Sequence, residues 1–159
     1  MANSQIILSA AQHEEIRRVL AQFGQNATVY CALLSDLSGQ EISVWSPARA
    51  FDIPSIAALA AGDIMATLEI SRMLGGERSC NLIIQEHDEM TILIARVGEA
   101  LSLLLAVARD VPLGWARIAI RSATGRILAV VGAAALVPPP VAVTDDFATK
   151  FSAQLDAIW

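Results

Sequence analysis

The sequence predicts an α+β domain built on an antiparallel sheet. Five short runs of strand-type residues occur, and most are apolar on both faces. All the connections between them except one are hairpin-short, and short connections join antiparallel strands. Segments of helical spacing precede, interrupt and follow these runs, giving the order α-β-β-α-β-β-β-α.

The first helix begins at Ser9. Ile16, Val19, Leu20 and Phe23 recur at helical spacing, and Gly24 ends the pattern. Ala27 to Ser35 reads as a strand covered on both sides, because Val29, Tyr30, Cys31, Leu33 and Leu34 are apolar whichever way they point. Asp36-Leu37-Ser38-Gly39-Gln40 is a turn: Asp bonds its own backbone and Gly supplies a positive φ. The partner strand is Glu41 to Ser46, with Ile42, Val44 and Trp45 as its buried candidates.

Pro47 breaks that strand. Asp52 suits an N-cap and Pro54 a first helical turn. The second helix runs from Ile53 to about Leu74 and closes at Gly75-Gly76. Ile56, Leu59, Ile64, Met65, Leu68, Ile70, Met73 and Leu74 spread around most of its wheel. A helix apolar nearly all round is covered by more than one neighbour.

Ser79 to Glu86, Met90 to Val97 and Leu101 to Ala108 read as three strands, joined by turns at His87-Asp88 and Gly98-Glu99. Asp110 and Pro112 open a last long helix, Leu113 to about Val131, which Gly114 and Gly125 weaken locally. The expected organisation is a domain over 1–133, a proline-rich hinge over 134–143 and an amphipathic helix over 144–159. The last carries Phe147, Phe151, Leu155 and Ile158 on one stripe and ends in Trp159.

Composition narrows the function. The chain has 159 residues, is 55% hydrophobic and 17% charged, and has a net charge of −5. The mean hydropathy is +0.53. Disorder does not fit that balance, and nucleic-acid binding needs clustered basic side chains that are missing. So much apolar surface in a small domain implies contact with another chain. The longest uncharged stretch, Ile127 to Thr144, is interrupted by Pro138-Pro139-Pro140, so no membrane span is expected. The amino terminus lacks a basic region and a long apolar run, so a cytoplasmic location is expected. Cys31 and Cys80 lie in apolar runs and read as buried free thiols.

Catalytic patterns are not found. A P-loop needs a lysine after a glycine-rich loop, and the one lysine, Lys150, precedes Phe151 near the C-terminus. No GxGxxG, CxxC or HExxH occurs, and no metal or cofactor is expected. His13 on the first helix and His87 in a turn read as solvated polar residues, and Glu86, Asp88 and Glu89 as a charged hairpin tip. Arg117, Arg121 and Arg126 on the last helix read as a solvated face. An enzyme is therefore not expected.

ATVYCALLSDLSGQEIS, IAALAAGDIMATLEISRMLGG and LSLLLAVARDVPLGWARIAIRSA together resemble the roadblock family, named for a dynein light chain and including bacterial regulators of Ras-like GTPases. The resemblance covers about Ser9 to Val131. It implies a five-stranded sheet in the order 2-1-5-4-3, with the second helix on one face and the first and last helices on the other. It also implies a homodimer, made by pairing the third strands and setting the two copies of the second helix side by side. Cys80, Leu82, Ile83 and Ile84 would then lie at the dimer interface. An apolar edge strand otherwise invites aggregation.

The resemblance further implies that the paired second helices form the platform for a Ras-like small GTPase. The platform residues would be Ala58, Ala61, Gly62, Asp63, Met65, Glu69 and Arg72, the small ones allowing close approach. Arg72 suits an arginine finger supplied in trans, but it also suits an i,i+3 ion pair with Glu69. Phe147, Phe151, Leu155 and Trp159 are candidates for docking on a partner or folding back, and the resemblance does not reach them. The leading expectation is a homodimeric regulator of a Ras-like GTPase. A passive scaffold and a PAS-like small-molecule sensor are the alternatives.

Overall fold

Ser9 caps the first helix as its position before the apolar periodicity predicts. Its hydroxyl accepts from the Gln12 backbone N–H at 3.2 Å, and the Gln12 side chain accepts from the Ser9 N–H at 2.8 Å. Helix α1 (Ala10–Ala21) turns Ile16, Val19 and Leu20 inward. The chain then tightens into a 3₁₀ turn over Gln22–Gln25 rather than continuing to Gly24 as one helix. Gly24 sits where a Cβ would fall 2.2 Å from the Trp45 ring, so tertiary packing selects glycine there.

The computed structural model describes residues 6–47, 50–76 and 81–134. Strands β1 (Val29–Asp36), β2 (Glu41–Trp45), β3 (Leu82–Glu86), β4 (Met90–Val97) and β5 (Leu101–Ala108) form one antiparallel sheet ordered β2-β1-β5-β4-β3. Helix α2 (Ile53–Met73) provides the long connection between β2 and β3, and α3 (Leu113–Ala134) follows β5. The fold is α+β, in the strand order that the roadblock resemblance implies.

Every residue of β5 is buried, which fits its central position. Leu101, Leu103 and Leu105 face α1 and α3, together with Ile16, Leu20, Ile120 and Ile127. Leu104 and Ala106 face α2, with Leu33, Ile64, Leu68 and Ile94. This is why the strands read as continuous apolar runs: the sheet is covered on both faces. The two buried hydroxyls of Ser35 and Ser102 meet each other across β1 and β5 at 2.9 Å, so neither is left unsatisfied.

Cys31 is buried on β1 and unpaired. Burial, followed by the charge of Glu41, pushes its thiol up to about 11. Its peptide is expected to remain unlabelled by a thiol reagent at pH 8 until denaturant unfolds the protein. Labelling at the native rate of a free thiol would contradict that burial.

Candidate protein-interaction face

Helix α2 is fastened at both ends. The Asp52 carboxylate accepts from the Ser55 N–H at 3.3 Å and the Ser55 hydroxyl at 2.6 Å, which holds the Asp52 carboxyl below its usual range. Gly75, at φ +81°, lets the chain leave after Leu74. Between these ends Ala57, Ala60, Ala61, Ile64 and Leu68 are buried.

The outward side is also apolar. Leu59 is 72% exposed, Met73 75% and Leu74 84%, and Met65 and Ile70 are exposed with them. Gly62 is exposed among them, with nothing within 4 Å of the place a Cβ would take. By length and apolarity alone α2 passes for a membrane-crossing helix, a segment other than the proline-interrupted 127–144 on which the expectation of no span rests. Packing against the sheet accounts for its inner stripe; the outer stripe has no cover within the described residues. A contiguous apolar stripe of this kind marks an interaction surface.

The structure sorts the platform candidates into different positions. Ala58, Gly62, Met65 and Arg72 lie on the exposed side, and Glu69 is half-buried beside them. Ala61 is 4% exposed and belongs to the inner side, so it does not offer a surface to a partner. Asp63 is half-buried and accepts from the Gln85 side chain at 2.9 Å, tying α2 to β3. Arg72 is engaged with Glu69: its Nε donates to both carboxylate oxygens at 3.0 Å, and its Nη2 also contacts Oε1. That hydrogen bonding raises the Arg72 pKa further above its already high value.

Strand β3 stands at one end of the sheet, paired only with β4 among the described residues. Leu82, Ile83 and Ile84 are half-buried. Ile83 packs toward α2, while Leu82 and Ile84 pack toward α1 and α3. The β3 edge and the outer side of α2 are thus coupled by the Asp63–Gln85 bond. Cys80 lies outside the described residues, as do Phe147, Phe151, Leu155 and Trp159.

The site candidates did not include Leu59, Ile70, Met73 or Leu74. The apolar wheel of the second helix contained the signal, but only the placement of the sheet shows which part of it remains exposed. Among the described residues no group of three or more His, Cys, Asp or Glu is placed to hold a metal.

No protein-family model and no curated protein matches the sequence. Solved structures do match. The gliding protein MglB from Thermus thermophilus superposes with a TM-score of 0.75 at 21% identity, over 82% of this chain and 98% of that one. An MglB with a tetrameric arrangement gives 0.76 at 20% identity, over 84% and 99%. A Roadblock/LC7 domain from Streptomyces avermitilis gives 0.56 at 16% identity, over 74% and 92%. With the sheet order and helix placement described above, these likenesses establish that the chain has the roadblock fold.

Proposed function

We propose that this protein is a homodimeric, non-catalytic regulator that binds a bacterial Ras-like small GTPase in the cytoplasm. The observation that carries the reading is the uncovered apolar side of α2 beside the β3 edge. One two-fold contact, β3 against β3 and α2 against α2, would cover both features at once. The likeness to an MglB of tetrameric arrangement supports self-association. Leu82, Ile83 and Ile84 would lie at that contact. Ala58, Gly62, Met65, Glu69 and Arg72 would lie on the platform the paired helices present.

Among the described residues the buried polar side chains are Ser35, Ser43, Thr91 and Ser102, and two of them are spent on each other. That supports a protein-binding role over a PAS-like sensor, which needs convergent polar groups around a ligand. The engagement of Arg72 with Glu69 favours regulation by reordering of the GTPase's switch loops over an arginine finger.

Single-turnover GTP hydrolysis by a Ras-like GTPase from the same organism tests this, with binding to its GDP and GTP-analogue forms measured alongside. GTP-selective binding with faster hydrolysis is expected. Binding without acceleration would make the protein a scaffold, and no binding to either form would overturn the GTPase reading. Arg72→Ala is expected to change the accelerated rate less than about threefold, whereas loss of an arginine finger costs about 10³-fold or more.

A further inference from the structure

On the sheet face opposite α2, α1 and α3 run antiparallel but differ in length, 12 residues against 22. The C-terminal half of α3 is clamped to α1. The Gln12 side chain donates to the Val130 carbonyl at 3.0 Å, and Arg126 binds Gln22 and Glu15. Beside the N-terminal half of α3 the chain leaves α1 through the 3₁₀ turn, and an open groove of about 330 Å³ remains. Val19, Phe23 and Ala123 line it with Trp115 and Ala119, and Ile118 on its lip is 73% exposed. This volume lies at the low end of the ~300–1,000 Å³ range of ligand pockets, a size that suits a few inserted side chains.

The charge beside the groove is positive. Arg117 and Arg121 are exposed, one position before and three after Ile118, and neither forms an ion pair among the described residues.

We propose that the chain's own segment 144–158 occupies this groove, antiparallel to α3, with Phe147, Phe151 and Leu155 inserted. Three features select this occupant. The first is reach: the described part of α3 reaches Ala134, and the near end of the groove at Arg126 lies ~12 Å back along the helix. Residues 135–146 extend to ~40 Å at most, ample for the return. The second is length: Phe147 to Leu155 spans ~12 Å as a helix, and the groove along α3 from Trp115 to Arg126 spans ~16 Å. The third is charge: the segment carries Asp145, Asp146 and Asp156 against the single Lys150, opposite in sign to Arg117 and Arg121. Tethering also gives the segment a local concentration in the ~mM range, so a modest contact is populated. The inference goes beyond the GTPase reading and does not rest on it.

The test uses the full chain with Cys80→Ser, Ile118→Cys and Phe151→Cys, mildly oxidised and mapped by mass spectrometry. Mixing isotopically light and heavy protein distinguishes bonds within a chain from bonds between chains. A disulfide joining positions 118 and 151 within one chain is expected, and none is expected when Leu59→Cys replaces Ile118→Cys. In otherwise wild-type protein, Ile118→Asp is expected to leave the circular dichroism unchanged and to speed proteolysis within 135–159 about tenfold. A bond at position 59, a bond only between chains, or no bond at all would overturn the proposal. So would a proteolysis rate unaffected by Ile118→Asp.

Discussion

Gly39→Ala is expected to destabilise the domain by about 2–5 kcal/mol, from two independent costs. Gly39 has φ +89°, where an L side chain costs ~1–2 kcal/mol. Its Cβ would also fall 2.7 Å from the Ala58 Cα on α2. That atom is helix backbone and cannot swing aside, so overpacking adds ~1–3 kcal/mol. Nor is the turn free to retreat. Asp36 Oδ1 accepts from the Ser38 N–H at 2.9 Å, the Ser38 hydroxyl at 2.6 Å and the Gln40 N–H at 2.9 Å. Partial burial works against the Asp36 charge, but these bonds prevail and hold its carboxyl below the usual range. Denaturant unfolding measures the loss, and the midpoint temperature should fall by ~2–4 °C per kcal/mol. Adding Ala58→Gly is expected to recover little, because the closest atom is Cα rather than Cβ. A loss below ~1 kcal/mol would mean that the turn and α2 are not in firm contact.

Leu59→Glu combined with Met73→Glu is expected to leave the fold intact and to dissociate the protein into monomers. Both side chains are largely in water in the single chain, so folding loses little when they change. In a two-fold contact four such side chains are buried, at ~1.5 kcal/mol each on a cautious estimate. The resulting ~6 kcal/mol weakens association about 10⁴-fold, before the cost of burying glutamates is counted. Sedimentation equilibrium reads the mass directly. A dimer that survives both substitutions would place the self-contact elsewhere.

The element order was legible because local chemistry announces it. Ser9 and Asp52 cap helices, Asp36 and Gly39 shape the first hairpin, and Gly75 ends α2. The missed boundaries came from long-range packing. Strand β1 begins at Val29 and ends at Asp36 rather than running from Ala27 to Ser35, and β3 begins at Leu82, with Asn81 outside the strand and Ser79 and Cys80 outside the described residues. Helix α1 ends early where Gly24 makes room for Trp45, a contact no local pattern carries. Helix α3 runs on to Ala134 despite Gly125 and Gly132, since it is held against α1 through Gln12 and Arg126.

The interaction face was half legible. A helix apolar all round announces two coverings but cannot tell which alanines lie beneath, and Ala61 proved to be inside. The Asp63–Gln85 bond joins residues 22 apart in sequence on different elements, beyond the reach of any spacing rule. The Arg72–Glu69 pair, three apart on one helix, was legible from helical geometry alone.

Hydrogen exchange of the full chain tests the interaction face most directly, measured across a dilution series and again with a GTP-analogue-loaded Ras-like GTPase. Slower exchange is expected at β3 as concentration rises, because an edge strand gains backbone partners in the paired sheet. Further protection is expected along α2 when the GTPase is added, with α1 and α3 unchanged. Exchange at β3 and α2 that is indifferent to concentration and to the GTPase, or protection confined to α1 and α3, would contradict the proposed face.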